Sequence, residues 1–302
     1  MYLADMHCDS LLRVNADRGL VAAHNFSKKH PQLQFCAMFV PRAWDPPAVR
    51  RSRLIRLADT YLYETARNTL VRAESVLELN RATDMGLPAA LLSLEGGGGL
   101  FADSEELNTL YRAGLRVLGM AWDSNELAAG AWDENDTGLT EEGRKLARRC
   151  EEKGIILDVS HLSDRSFWEL CEITSAPLLA THSNFRAVTD SPRNLTDDMA
   201  AKLVARGGVI GLNLCPEFLA ADGAATADDI LRHVEHALSH FGDGALGFGF
   251  DIDGTDGKYP AGLDETDSIH DRVCDLLLSH YSASTVERVA GGNVMDFLKE
   301  NL

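Results

Sequence analysis

No run of 18 apolar residues occurs in the 302-residue chain, so no transmembrane helix is expected. The six cysteines (Cys8, Cys36, Cys150, Cys171, Cys215 and Cys274) are scattered, without a CxxC pair. That excludes a zinc ribbon and, in a chain this long, reads as reduced thiols and not as a disulfide framework. Positive charge is scarce: 29 Lys and Arg against 46 Asp and Glu leave a net charge of −17. Such a chain repels phosphate backbones, so no nucleic-acid partner is expected. After Met1 there is no basic stretch leading into an apolar one. No signal peptide is therefore expected, and the expected location is cytoplasmic. The phosphate-binding signatures are absent too. Gly96–Gly99 lacks the Lys-Ser/Thr that ends a P-loop, and no GxGxxG opens a helix. Close backbone packing is the plainer reading of that glycine run.

Hydrophobic residues make up 45% of the chain and charged ones 25%, enough to bury a large core. Eight short apolar runs read as strands: Tyr2–His7, Leu33–Val40, Ala89–Leu94, Leu115–Ala121, Ile155–Ser160, Pro177–Thr181, Gly208–Leu214 and Ala245–Phe250. Near-continuous apolar character is the mark of strands buried on both faces. Helix-period segments lie between most of them. Arg50 to about Leu79 reads as one helix, and Thr140–Lys153, Thr196–Arg206 and Thr226–Phe241 each open on a threonine cap. Two more close the chain, at about Ser268–His280 and Ser284–Asn301. The first crossover, Leu11–Pro31, shows no clear helix. Alternating strands and helices in a chain of about this length favour a (β/α)8 barrel over an open doubly wound sheet. With no linker or internal repeat in sight, residues 1–302 are expected to form one domain.

Barrel chemistry sits where strands end. The first strand ends in His7-Cys8-Asp9, the third in Glu95, the fifth in His161, the sixth in His182 and the eighth in Asp251. A lone strand-end histidine is usually structural, but five such ligand-type residues on four strands converge on a metal centre. Imidazole with carboxylate and no thiolate suits Zn²⁺ and similar ions. Five ligands exceed what one catalytic zinc takes. Two ions bridged by Glu95 would use them all, with His7 and Asp9 on one, His161 and His182 on the other. Asp251 is then left over as a proton shuttle. Period-two alternation turns Cys8 the other way, into the core. His233, His236 and His240 have helical spacing but no HExxH motif, and read as a solvated helix face. The acidic run from Asp251 to Gly257 fails as a calcium loop, because Asp256 stands where that loop needs glycine.

These landmarks resemble the membrane (renal) dipeptidase family, peptidase family M19 of the amidohydrolase-like hydrolases. They are Asp5-Met6-His7-Cys8-Asp9, Leu94-Glu95-Gly96-Gly97, Asp158-Val159-Ser160-His161, Thr181-His182-Ser183, Pro192-Arg193-Asn194-Leu195 and Gly247–Gly254. The resemblance covers nearly the whole chain. It implies a metal-bridged (β/α)8 enzyme, usually with two zincs, that cleaves dipeptides and tolerates a D-residue at the C-terminal position. By resemblance, His7 and Asp9 hold one zinc, His161 and His182 the other, and Glu95 bridges. Asp251 is the acid/base that serves a metal-bridged hydroxide, and Arg193 grips the substrate carboxylate. Trp122 stands where the animal enzymes carry a substrate-contacting histidine, and resembles the bacterial branch. Cys215 replaces an aromatic residue. Homodimers are common in the family, and no face of this sequence identifies an interface. Two alternatives remain at this stage. One is a hydrolase of another amide, such as an N-acyl amino acid or a lactam. The other is a catalytically silent metal-binding barrel.

Overall fold

The computed structural model of the chain describes residues 1–14, 26–40, 46–263 and 268–302. Eight parallel strands close into a barrel: β1 (Leu3–Asp5), β2 (Gln32–Phe39), β3 (Ala89–Glu95), β4 (Leu115–Gly119), β5 (Ile156–Asp158), β6 (Leu178–Ala180), β7 (Val209–Leu212) and β8 (Leu246–Phe248). Each pairs with its neighbours, and Asp5 opposite Phe248 joins β1 to β8. A two-residue strand, Val71–Arg72, pairs with the start of β3. It fills the edge below Leu92, where β4 begins to pair. The eight expected strands are all present, most of them shorter than the apolar runs that announce them. Among the described residues no helix is long and apolar enough to cross a membrane.

Alternation along the strands sorts the core into two layers. Ala4, Phe35, Leu91, Val117, Ile156, Leu179 and Val209 form one buried cluster, the barrel interior. Val294, Phe297 and Leu298 of the last helix, Asn293–Asn301, belong to the same cluster. That helix plugs the end of the barrel where strands begin, which leaves the opposite end for chemistry. The intervening residues, such as Leu92, Leu118 and Leu157, pack outward against the helix ring.

The caps read from the sequence operate. Thr140 and Thr196 accept backbone N–H bonds from Gly143 and Met199, and Thr226 with Asp229 forms a capping box. One expected helix is two. The segment from Arg50 to Leu79 stops at Arg67, and a second helix spans Val76–Met85. Thr69 turns left-handed (φ 54°), with Leu70 N–H bonded to Thr65 O and Thr69 N–H to Ala66 O. This is a Schellman end, whose apolar residue packs back on the helix. Leu70 therefore kept the apolar pattern going after the helix had ended. Helices Glu105–Arg112 and Asp164–Ile173, capped by Ser104 and Ser163, were not anticipated. The last expected helix is interrupted by a π-helical turn, Arg288–Gly292. In the first crossover a short helix, Ser10–Arg13, is present; residues 15–25 lie outside the described part.

Candidate active site

The chain leaves β1 at Asp5, and His7 and Asp9 follow in the connection to Ser10–Arg13. Glu95 is the last residue of β3. His161 and His182 follow β5 and β6, and Asp251 follows β8. All six side chains meet at the open end of the barrel, and all six residues are buried. Glu95 is central. Its Oε1 lies 2.7 Å from His161 Nε2 and 3.3 Å from His182 Nε2, while its Oε2 lies 3.5 Å from His7 Nε2. His7 Nε2 is also 3.8 Å from both Asp9 Oδ2 and Asp251 Oδ1. His161 and His182 bring their Nε2 atoms within 3.0 Å of each other.

These spacings suit groups that share a cation. Two atoms each about 2.0–2.1 Å from a tetrahedral ion lie roughly 3.3 Å apart. His7 Nε2 and Asp9 Oδ1 are buried without a hydrogen-bond partner, as ligand atoms awaiting an ion would be. His7, Glu95 and His182 converge closely enough to hold a metal, and so do His7, Asp9 and Asp251. Gly254 closes in on the second group. A Cβ there would sit 2.1 Å from Asp251 Oδ1 and 2.5 Å from Asp9 Oδ2. Both His161 and Asp251 adopt left-handed backbone, at φ 68° and 61°. Such geometry is uncommon outside glycine and costs about 1–3 kcal/mol, repaid by the surrounding packing.

The electrostatics tell the same story. Burial, followed by repulsion from Glu95 and Asp251, pushes the Asp9 carboxyl up to about 7. Burial and the Arg193 charge press His161 down to about 4, and burial and His7 do the same to His182. Both imidazoles are thus kept neutral, the form a metal needs. Burial opposes charge on His7, but Glu95 and Asp9 outweigh it and hold its pKa well above the usual imidazole value. Burial likewise opposes charge on Glu95, and is outweighed by His7 and His161, so that carboxyl stays well below the ordinary range. Without an ion, His7 supplies the positive charge among three carboxylates. A divalent cation would do so more effectively.

Arg193 is 3% exposed. Its Nη2 donates to the His182 carbonyl at 3.0 Å, its guanidinium stands 5.3 Å over the Phe218 ring, and its Nε has no partner. Trp122 is 41% exposed. Its ring lies 6.1 Å from that of His161 and 5.1 Å from that of Phe39, which makes it a wall beside the histidines. Cys8 is buried in the core cluster. The glycine run packs against Arg50, whose Nη1 would lie 2.5 Å from a Cβ at Gly98. The expected solvated histidine face is corrected. His233 is wholly buried, accepting from Phe185 N–H at Nδ1 and facing Leu219 O with Nε2. His236 pairs with Asp197, and only His240 is exposed.

The sequence reading missed the groups beneath the site. Asp5 accepts from the backbone N–H of His7 and of Phe250, and its Oδ2 meets His270 Nε2 at 2.7 Å. Asp158 binds the N–H groups of Ser160 and Thr181. Asn213 donates to Asp251 Oδ2 and to His182 O. The available signal was a charged or amide residue inside an otherwise apolar strand run, since burial of such a group demands partners.

Residues 1–301 match the membrane dipeptidase family, peptidase family M19. The crystal structure of the metallopeptidase dipeptidase AC superposes with a TM-score of 0.87 at 27% identity, covering 100% of this chain and 98% of the other. A Rhodobacter sphaeroides metallopeptidase, solved with a phosphinate mimic of the dipeptide L-Ala-D-Ala, superposes with a TM-score of 0.86 at 26% identity, covering 100% and 99%. Dipeptidase tcpJ of Claviceps purpurea is 28% identical over 243 residues, which is 79% of this chain and 56% of that protein. This chain thus spans little more than half the length of that relative.

Proposed function

The chain belongs to the membrane dipeptidase family of metallopeptidases, peptidase family M19, and from that membership we propose that it is a zinc-dependent dipeptidase with two ions bridged by Glu95. The observation that carries this reading is the division of Glu95, one oxygen toward His161 and His182 and the other toward His7. His7 and Asp9 would hold one ion, His161 and His182 the other. Bound there, divalent ions supply Lewis acidity, polarising the scissile carbonyl and lowering the pKa of water.

The chain's own groups do the rest. Asp251 keeps Oδ1 toward the ligands while Asn213 holds Oδ2, so Oδ1 is placed to take a proton from water and give it to the leaving amine. Arg193 is a buried cation with no ion-pair partner among the described residues, and its unpaired Nε–H can donate a further hydrogen bond. A substrate carboxylate satisfies both needs. Fixing that carboxylate so near the ligands leaves room for a short peptide. Trp122 bounds the pocket on the His161 side. The L-Ala-D-Ala mimic in the Rhodobacter structure supports a preference for L,D dipeptides.

The test compares a dipeptide with its amide in wild type and in Arg193→Met. The variant should lose about 10²–10³ in kcat/KM on the dipeptide, the worth of a buried charge-assisted pair partly replaced by water. The amide should be poor for both proteins. Equal wild-type rates on dipeptide and amide would overturn the reading and favour a hydrolase of N-acyl amino acids or lactams.

A further inference from the structure

Beneath His182 runs a short chain of hydrogen bonds. His182 Nδ1 lies 2.8 Å from Thr181 Oγ1, and Thr181 Oγ1 lies 2.5 Å from Asp158 Oδ2. All three residues are buried, with exposures of 5% or less. The other Asp158 oxygen accepts the N–H groups of Ser160 and Thr181. Sequence alternation explains the placement. Ile156 and Leu179 point into the barrel, and two residues further on Asp158 and Thr181 point the same way, one layer closer to the ligands.

The direction of the protons in this chain is forced. A carboxylate only accepts, whereas a hydroxyl has one proton to give. Thr181 spends its proton on Asp158, so toward His182 it offers only a lone pair. His182 must then carry its proton on Nδ1. That leaves the Nε2 lone pair aimed at Glu95 and the ion site, where His161 Nε2 and Glu95 Oε1 lie at 3.0 and 3.3 Å. We infer that Asp158, acting through the Thr181 hydroxyl, sets the tautomer of His182 and is thereby a positioning residue of the metal centre. The inference rests on the proposed function only in taking His182 as a metal ligand.

The chain of donors makes an unusual prediction. In Asp158→Asn the amide oxygen can keep the two backbone bonds, and the amide nitrogen then donates to Thr181 Oγ1. The Thr181 proton must turn elsewhere. Its nearest acceptor is His182 Nδ1 at 2.8 Å; Ser160 Oγ is farther, at 3.5 Å. The imidazole proton moves to Nε2, and the ligand atom is blocked. Removing the hydroxyl from this variant, as Asp158→Asn/Thr181→Val, removes the donor that enforces the wrong tautomer. The double variant should therefore bind metal better than Asp158→Asn alone. Lost negative charge is equal in the two, so it cannot account for a difference.

Two readouts test this on the full chain. Nitrogen-15 NMR of the metal-free protein reads which ring nitrogen of His182 is protonated, and competition with a chromophoric chelator reads zinc affinity. Wild type and Thr181→Ser should show Nδ1–H. Asp158→Asn should show Nε2–H and bind zinc about 10–100-fold more weakly, the usual loss when such an outer partner is removed. Thr181→Val and the double variant should fall between. Retention of Nδ1–H with unchanged affinity in Asp158→Asn would overturn the inference, as would a double variant no better than the single one. Should Asp158→Asn not fold, wild-type tautomer and affinity in Thr181→Val would overturn it equally. A wild type with Nδ1–H that fails to bind zinc through His182 would leave the tautomer device standing and remove the ligand reading instead.

Discussion

Asp251 carries its two oxygens into different surroundings. Oδ2 accepts from Asn213 at 3.1 Å, and Oδ1 faces the ligand cluster, 3.8 Å from His7 Nε2. In Asp251→Asn the amide oxygen would stay with the Asn213 donor. The NH2 group would then point at the site, where it can give a hydrogen bond but cannot take a proton. Shape is kept and proton transfer is lost. The expected result is wild-type metal content with kcat lowered by about 10²–10⁴, checked by elemental analysis and steady-state kinetics on one preparation. Near wild-type kcat would move the acid/base role to another group.

Among the elements, strand runs and threonine caps were plain to read, because burial on both faces and capping leave local marks. The break at Asn68-Thr69 was not, since Leu70 continues the helical period while packing back from a left-handed turn. Helix Ala227–Phe241 shows a second limit of local reading. Its histidine spacing looks like a polar face, yet His233 packs under Phe185, whose position in the fold no local pattern reveals. Burial pushes His233 down to about 4, against the pull of the Leu219 carbonyl. The unfolded chain takes up this proton near pH 6.5, while the folded chain declines it until about 4. The His233 contribution to stability should therefore be full above pH 6.5, fall as pH drops from 6.5 to 4, and change no further below. The total effect is on the order of 3 kcal/mol. His161, His182, His7 and Asp9 also titrate in this range, in both proteins. Urea unfolding of metal-free protein at pH 7 and 4.5 should therefore give a stability change in His233→Gln that is less unfavourable than the wild-type change by about 2–3 kcal/mol. Equal drops in the two proteins would place the acid sensitivity elsewhere.

Across the whole molecule, the barrel turns scattered sequence positions into one cluster. Residues as distant as His7 and Asp251 become neighbours because β1 and β8 close the sheet. The six residues that meet at the open end of the barrel stood out in the sequence, since metal-type residues at strand ends contrast with apolar runs. The sequence did not announce Asp158, Thr181 and Asn213, whose work depends on hydrogen bonds between different strands. Plugging of one barrel end by the last helix leaves the other end to carry the site. A pair of ions bridged by Glu95 is what, in the proposed function, makes this site a dipeptidase. The most direct test of that reading is a titration of metal-free protein with Zn²⁺ while hydrolysis of an L,D dipeptide is followed. Turnover should rise with added zinc and level off at two ions per chain. A plateau at one ion, or no hydrolysis at any ratio, would contradict it.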